Sequence, residues 1–369
     1  MLAGSATLLG AFGSSAFSAE RKTYLATRDI FVGGGLYVPD AREPSRRLAT
    51  IAIVDIGKRQ IDRFAMDFFA HGFALKRGAW GIAATFQKIG PGAAEIDIVS
   101  GKVLRTITPE KDRLFYGHGA YSLDGRLLYS TERDEKRKTG LIAIRDAGTL
   151  AYLGEFPTYG DHPHDCHLID DGATMVVTNG GGAMGEGSPA SLTYIDVASN
   201  QLLEKFIPSN PRINTGHVAV LAARQAVVVS APARGLPDKN LGGVSVMLGQ
   251  KQLTTMTQPQ SVVESMTGEA LSVAVSATRK VFGVTHPAGG MVTFWSTQDG
   301  RHLKTLTLPQ ARGIEVTLDE KYFAISYGNQ ANLALVSTEN FMPTSEELSQ
   351  TFLTGSHILN WHRRWREIA

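Results

Sequence analysis

The sequence predicts an all-β fold, a seven-bladed β-propeller closed by a C-terminal strand. One strand-turn-strand pattern recurs at steps of 41 to 55 residues from His71 to Gly313. A second hairpin pattern recurs seven times between Leu48 and Phe341. Repeats of about 40–50 residues in a strand-rich chain are typical of propeller blades, each a small four-stranded sheet.

The first pattern is clearest at residues 116–131, which read YGHGAYSLDGRLLYST. An Asp-Gly pair between two apolar runs predicts a tight two-residue hairpin turn. Each copy therefore predicts the two inner strands of one blade. Weaker copies begin at His71, His164, His217, Ser272 and Gly313.

The second pattern predicts the two outer strands of each blade, joined by a short polar turn. Four copies place an aspartate at the end of the third strand, and a short carboxylate there accepts N–H bonds across the turn. Because a catalytic carboxylate is needed once and not in every blade, this recurrence favours a structural role. These aspartates are Asp55, Asp97, Asp146 and Asp196.

Near its N-terminus the sequence predicts a strand at residues 23–27, a loop at 28–35 and further strands at 36–38, 48–55 and 61–66. This first blade lacks an inner strand. Residues 355–361, GSHILNW, are predicted to supply it and to close the ring, since an open ring would leave unpaired edges.

The tail after this strand reads HRRWR and places Trp365 one helical turn beyond Trp361. The spacing predicts a short helix. It is interpreted as a packed cap, and a partner-binding helix is the alternative.

Residues 1–19 carry no charge and are rich in Ala, Gly, Leu and Ser, as in the apolar core of a signal peptide. Cleavage is expected after Ala16 or Ala19. The basic segment that precedes such a core is missing, so we expect the true start upstream, with a twin-arginine signal. Residues 20–369 would then form one propeller domain, soluble and periplasmic, without a membrane span.

Composition excludes several classes of protein. The net charge of +2 is spread along the chain and gives no electrostatic footprint for nucleic acid. Cys166 is the single cysteine, which rules out an intrachain disulfide and a cysteine-based zinc or iron–sulfur site within one chain. A small buried core residue is the expected role of this thiol, and a reactive thiol is the alternative.

Four histidines recur at the start of the first strand of successive blades, and these strands line the central channel. They are therefore predicted to converge on one mouth of the channel. By the closure argument His357 stands at the equivalent place, and His162 and His167 flank the third histidine in the run DHPHDCH. The four are His71, His118, His164 and His217.

Loops expected over the same mouth bring further polar side chains. They cover residues 28–35, 131–140, 179–191, 231–243 and 285–290, and they hold Arg28, Glu132, Arg133, Glu186, Arg234 and His286. The predicted ligand-binding residues are His71, His118, His164, His167, His217, Arg28, Arg133 and His286.

The histidines allow three interpretations. Converging imidazoles bind a transition metal such as Fe, Cu or Zn, with His71, His118, His164 and His217 as ligands, or they shuttle protons. Alternatively, each histidine bonds a neighbouring backbone group and holds adjacent blades in register. The nearby aspartates serve either as partners of metal ligands or as turn residues; they are Asp161, Asp165, Asp170 and Asp171.

Motifs for other chemistry are missing. The sequence contains no H-E-x-x-H zinc helix, no G-x-S-x-G nucleophile elbow and no C-x-x-C-H haem attachment. The glycine-rich residues 180–187 lie in a predicted loop between two strands. A dinucleotide fingerprint would join a strand to a helix, so this stretch is not one.

The segments YGHGAYSLDGRLLYSTE and FAHGFALKRGAW and the blades that follow resemble the bacterial DUF1513 family, over about residues 23 to 360. This resemblance implies an exported propeller of the quinoprotein amine dehydrogenase-like, YVTN- or WD40-repeat type, often with a twin-arginine signal. It also implies a periplasmic role near iron handling, beside imelysin-like and di-haem peroxidase-like proteins. The run from His164 to His167 departs from the Pro-His-Glu pattern expected there.

Three functions fit these observations. The first is a periplasmic binding or scaffold propeller that handles iron or another metal through a His-lined face, with an iron-handling protein as partner. The second is an enzyme, an oxidoreductase or a lyase, that uses these histidines as acid–base groups. The third is a structural platform for another protein. Propellers host all three, so fold alone does not choose between them.

Overall fold

The computed structural model describes residues 28–43, 45–222, 224–237 and 241–368. The signal-peptide-like leader at residues 1–19, its expected cleavage points and the predicted strand at 23–27 lie outside the described residues.

The described chain forms seven four-stranded antiparallel sheets arranged as a propeller, which confirms the predicted fold class. Blade 1 contains β1 (Ile30–Tyr37), β2 (Leu48–Asp55) and β3 (Gln60–Met66); blade 2 contains β4 (Ala70–Leu75), β5 (Ile82–Gln87), β6 (Ala93–Asp97) and β7 (Lys102–Thr106). Blade 3 contains β8 (Arg113–Tyr121), β9 (Leu127–Asp134), β10 (Thr139–Asp146) and β11 (Tyr152–Pro157). Blade 4 contains β12 (Pro163–Ile169), β13 (Thr174–Asn179), β14 (Ser191–Asp196) and β15 (Leu202–Phe206).

The remaining three blades repeat the same order from the channel outward. Blade 5 contains β16 (Val218–Ala222), β17 (Gln225–Ser230), β18 (Gly243–Leu248) and β19 (Thr254–Thr255). Blade 6 contains β20 (Val273–Ser276), β21 (Val281–His286), β22 (Met291–Ser296) and β23 (His302–Thr307). Blade 7 contains β24 (Ile314–Val316), β25 (Tyr322–Tyr327), β26 (Asn332–Ser337) and β27 (Pro343–Leu348).

Blade 1 is completed by β28 (Ile358–Asn360), which pairs antiparallel with β1. Gly33 lies opposite Ile358, and Phe31 lies opposite Asn360. The inner strand of the first blade thus comes from the far end of the chain, as predicted. The pairing covers the inner edge of β1, which would otherwise expose unpaired N–H and C=O groups.

Burial follows the position of a strand within its blade. All six residues of β22, MVTFWS, are buried, because both faces of this strand pack against neighbouring blades. The outermost strand β7, KVLRT, is largely exposed. The core therefore lies between blades: Ile30 and Ile51 of blade 1 pack in one cluster with Ala83 and Ile96 of blade 2.

The recurring aspartates have the predicted structural role. Oδ1 of Asp55 accepts the N–H of Lys58 at 2.9 Å, and Oδ1 of Asp196 accepts the N–H of Ser199 at 2.7 Å. Asp97 and Asp146 accept backbone N–H groups in the equivalent turns.

Three local predictions are corrected. The Asp-Gly turn is not a two-residue hairpin, because β8 ends at Tyr121 and β9 begins only at Leu127. Within this five-residue turn Ser122 accepts the N–H of Gly125, whose φ is +70°. Residues 28–35 are mostly strand β1 rather than a loop, since β28 gives that segment a partner. Residues 131–140 are mostly the ends of β9 and β10, which leaves a short turn between them.

Within the part of the chain that the structure describes, two helices accompany the sheets, α1 (Gln260–Glu264) and α2 (Trp361–Ile368). The second forms the predicted tail helix and packs as a cap. Trp361 is fully buried, and the Trp365 ring lies 5.1 Å from that of Trp80 in an edge-to-face contact. Within the described residues, no helix is long and apolar enough to cross a membrane.

Candidate metal centre

Five histidines meet in the central channel. His71 and His164 are the second residues of β4 and β12, and His118 lies within the longer β8. His217 and His357 directly precede β16 and β28. Because these are the inner strands of blades 1 to 5, their side chains point to one axis. We call these five residues the histidine cluster.

Several Nε2 atoms of the cluster lie within contact distance of one another. Nε2 of His217 is 2.8 Å from that of His164 and 3.1 Å from that of His71. Nε2 of His71 is 3.4 Å from that of His164. A ligand nitrogen of each of the four predicted histidines lies within 4.8 Å of the other three.

These separations match the spacing of nitrogens around a single ion. Two imidazole nitrogens bound at about 2.1 Å stand about 3.0 Å apart at a right angle and about 3.4 Å apart at a tetrahedral angle. His71, His164 and His217 could therefore hold one metal ion with little movement of their rings, and His118 lies within 4.8 Å of them.

Hydrogen bonds on the far side of two rings fix which nitrogen carries the proton. Nδ1 of His118 donates to the carbonyl of His164 at 2.7 Å, and Nδ1 of His217 donates to the carbonyl of Leu271. The Nε2 atoms of these two rings consequently present lone pairs to the centre. Such an outer partner orients a metal-binding histidine and sets its tautomer.

Burial keeps the cluster uncharged. It is the largest cause that lowers the pKa of all five imidazoles, and the neighbouring rings lower the pKa of His71 further. Neutral imidazole is the form that binds a metal ion.

Glycines beside the histidines make room for the rings. A Cβ atom placed on Gly72 would lie 2.5 Å from Cδ2 and 3.0 Å from Nε2 of His118. A Cβ atom on Gly117, whose φ is +105°, would lie 2.6 Å from Cδ2 of His71. Gly72 and Gly117 thus let the rings of His118 and His71 pack over the backbone of the neighbouring blade.

His357 joins the cluster from the strand that closes the ring. Its Nε2 is 3.0 Å from Nε2 of His118, and its ring centroid is 3.9 Å from that of His217. The preceding residue, Ser356, contacts Nδ1 of His71 through its Oγ at 3.0 Å. The C-terminal segment therefore supplies a ring and an outer partner to the same centre.

A buried carboxylate lies against the cluster. Oδ1 of Asp165 is 3.8 Å from Nε2 of His118 and 3.3 Å from Nε2 of His167. Backbone N–H groups of Cys166 and Val218 donate to its two oxygens. Burial alone would raise the pKa of Asp165, but the two imidazoles stabilise its ionised form and hold the pKa well below its usual range.

Two cavities flank the cluster along the channel. The upper cavity, of about 160 Å³, lies where the inner strands begin and is lined by His164, His217, Tyr116, His162, Lys88 and Arg234. The lower cavity, of about 330 Å³, lies where they end and is lined by His118, His217, His357, Asp165, His167 and Arg364. The cluster thus separates the two halves of the channel. A larger cavity of about 570 Å³ lies between blades 7 and 1, away from these histidines.

A family model described as "Protein of unknown function (DUF1513)" matches residues 68–358. The chain belongs to the DUF1513 family. The matched region begins three residues before His71 and ends one residue after His357, so this DUF1513 protein carries its whole histidine cluster within the family match. No curated protein matches the chain.

Solved structures share the fold at low sequence identity. The hydrazine synthase of Kuenenia stuttgartiensis matches with a TM-score of 0.60 and 12% identity, over 80% of this chain and 93% of that chain. The Cps50 (Swd1) β-propeller domain of Myceliophteria thermophila matches with a TM-score of 0.55 and 12% identity, over 83% and 97%. At this identity the similarity shows the propeller fold alone.

Other predicted site residues of the DUF1513 protein lie apart from the cluster. His167 lines the lower cavity beside Asp165. Arg133 pairs with Asp161 at 2.7 Å and with Glu135 at 2.8 Å. Arg28 lies 3.4 Å from Asp55 in blade 1.

His286 is buried inside blade 6, where its Nε2 contacts Oγ1 of Thr293 at 2.9 Å. Burial lowers its pKa to about 3. Glu132 pairs with Arg145 in the interior of blade 3, and Glu186 lies exposed in the loop between β13 and β14.

Sequence reasoning missed two contributors of the DUF1513 protein. Lys88 follows β5 at the upper cavity, and its sequence context carries no signal beyond its charge. Ser356 was detectable only through its place before His357, as the neighbour of a residue predicted to reach the channel.

Proposed function

We propose that this protein binds one transition-metal ion in its central channel, through His71, His118, His164 and His217, with His357 as a further ligand. The observation that carries this proposal is the convergence of nitrogens: Nε2 atoms of His71, His164 and His217 lie 2.8 to 3.4 Å apart, and a ligand nitrogen of His118 lies within 4.8 Å of them. Outer hydrogen bonds direct the Nε2 lone pairs of two of these rings, His118 and His217, to the centre.

The donor set narrows the choice of metal. Hard cations such as Ca²⁺ and Mg²⁺ prefer oxygen ligands, whereas imidazole suits Zn(II), Cu(II) and iron. With neutral nitrogens as the proposed ligands, Fe(II), Cu(II) and Zn(II) are the ions the site would take.

The wider role we propose is that of an exported binding or scaffold protein in metal handling. The leader-like composition of residues 1–19 supports export to the periplasm. The iron-handling partner is what the sequence resemblance implies. Fractionation of cells that express the gene with its upstream region tests the location. Processed protein starting near Phe17 or Glu20 outside the cytoplasm is the expected result, and full-length protein in the cytosol would contradict it.

The decisive experiment measures metal binding by tag-free protein. We expect the wild type to bind one equivalent of Zn(II), Cu(II) or Fe(II) in a titration. The double variant His118→Ala/His164→Ala should lose this binding, and His302→Ala, at the edge of blade 6, should keep it.

The alternative role, in which the histidines only bond backbone groups and hold adjacent blades in register, gives the opposite result. In that case wild-type protein binds no ion. The double variant then loses about 1–3 kcal/mol of unfolding free energy for each buried partner left without a hydrogen bond.

A second candidate function is catalysis in the lower cavity. Asp165 and His167 lie side by side there, next to the histidine cluster, and carboxylate–imidazole pairs act as general acids and bases. The 330 Å³ volume falls in the usual range for small-molecule sites. Turnover of small reductants or hydroxy acids that Asp165→Asn abolishes while the metal stays bound would favour an oxidoreductase or a lyase. Metal-loaded protein without turnover favours the binding role.

A further inference from the structure

The negative charge beside the histidine cluster is smaller than the positive charge of a bound divalent ion. Imidazole ligands are neutral, so a divalent ion would keep its full charge in a site largely shielded from water. Asp165 offers one negative charge, and it does so from the lower side. An uncompensated charge away from water is strongly unfavourable, which calls for a second anion.

Two exposed cationic side chains at the upper cavity could supply its partner. Lys88 and Arg234 line it together with His164 and His217. In the described part of the chain, neither cationic head group has an ion pair or a side-chain hydrogen bond, although Glu269 lies at the same cavity.

Lys88 lies near the cluster itself. Its Cα is 3.4 Å from the position a Cβ atom on Gly117 would take, and that position is 2.6 Å from Cδ2 of His71. Lys88 also lines the same cavity as His164 and His217. An anion at Lys88 would therefore stand close to an ion held by the histidines.

The size of the upper cavity limits what it holds. Its volume of about 160 Å³ is well below the roughly 300 Å³ at which sites for drug-sized molecules begin. A carboxylate or inorganic oxyanion of a few heavy atoms fits this space, and its oxygens suit both a lysine and an arginine.

We infer that the upper cavity binds a small carboxylate or inorganic oxyanion, which Lys88 and Arg234 hold beside the metal ion as its anionic co-ligand. This inference rests on the proposed metal site. It assigns anion binding to the upper side of the channel and leaves the lower cavity, with Asp165, to a different molecule.

The test titrates Co(II) into tag-free protein, because the visible spectrum of this ion responds to a change of ligand. Titrations in sodium acetate and in sodium phosphate are compared with chloride at the same pH and ionic strength. We expect acetate or phosphate to shift the spectrum and to tighten Co(II) binding about tenfold or more, the range of a charge-assisted hydrogen bond.

Matched variants locate the anion. The double variant Lys88→Gln/Arg234→Gln should still bind Co(II) in chloride but should lose the spectral shift and most of the tightening. Lys102→Gln removes a cation from the exposed outer strand of the same blade as Lys88 and should behave as the wild type. Near-UV circular dichroism confirms that each variant is folded.

Each outcome decides the question. Co(II) binding that ignores both anions overturns the co-ligand and leaves the metal site standing. An anion effect that survives in the double variant places the anion elsewhere and also overturns the inference. Absence of Co(II) binding by the wild type in every anion overturns the proposed function, and this inference with it.

Discussion

At the scale of single residues, the cluster depends on glycine as much as on histidine. The ring of His118 lies over Gly72, and the ring of His71 lies over Gly117. Each ring is also held from behind, His118 by a backbone carbonyl and His71 by Ser356. The position of one imidazole therefore depends on the main chain of another blade.

We predict that Gly72→Ala weakens metal binding at least about tenfold, because the added Cβ overlaps both the backbone oxygen of Gly117 and the ring of His118, whose position its own hydrogen bond fixes. The same overlap should lower the unfolding free energy by about 1–3 kcal/mol. Isothermal titration and urea denaturation measure the two effects.

Gly57→Ala is the control, since a Cβ there would meet a single oxygen, Oδ1 of Asp55, at 3.4 Å. Unchanged metal affinity in Gly72→Ala would show that the His118 ring is free to move aside.

Much of this residue-scale picture follows from the sequence, but its buried details do not. The position of His71, His118, His164 and His217 at the start of inner strands was enough to predict that they meet. The tautomers were not predictable, because they depend on carbonyls of residues distant in sequence, such as Leu271. His286 was also predicted to reach the channel, but it is the last residue of β21 and its ring is buried within blade 6.

At the scale of elements, β28 and α2 hold the ring closed. The strand contributes three residues of pairing to β1, and the helix buries Trp361 against blades 1 and 2. Arg363 and Arg364 of the helix pair with the buried Glu315 of blade 7 at 3.1 and 3.2 Å. The C-terminal segment thus bridges the first and the last blade.

We predict that Trp361→Ala lowers the unfolding free energy by about 3–5 kcal/mol, the usual range for a buried tryptophan. Trp365→Ala should have a smaller effect, because this ring is only partly buried. Removal of residues 355–369 should expose the inner edge of β1 and cause aggregation. Equal stability of the two tryptophan variants, or a truncated protein with wild-type melting behaviour, would contradict this account of closure.

The element scale also shows what sequence patterns predict well. The number of hairpin signals predicted the number of blades correctly, because each blade repeats the same burial pattern. They failed at β1, where a glycine-rich segment reads as a loop until the partner strand β28 is known. Pairing between distant segments is a property of the closed ring, and local signals do not contain it.

At the scale of the whole molecule, five neutral imidazoles make stability depend on pH. In the unfolded chain each histidine titrates near 6.5, whereas burial lowers the pKa of all five in the folded state. Below about pH 6.5 the unfolded chain binds more protons, so protons favour unfolding.

We predict that metal-free protein is most stable above about pH 6.5 and loses stability as the pH falls. The slope should exceed about 1.4 kcal/mol per pH unit, the limit for a single histidine. Urea denaturation between pH 5 and 8 measures it. Addition of Zn(II) at about 100 times its dissociation constant should add about 2.7 kcal/mol near pH 7. A flat pH profile, or no effect of the ion, would show that the cluster is charged or does not bind.

The contact of Ser356 with His71 joins residues 285 positions apart in the chain. An ion shared by His71 and His357 would tie the same two ends together, as a disulfide does in many exported proteins. A chain whose single cysteine is buried cannot make that covalent link within itself. The ion would then act as a reversible cross-link between the two ends of the propeller. It would form when the metal binds and be lost when acid or a chelator removes the metal.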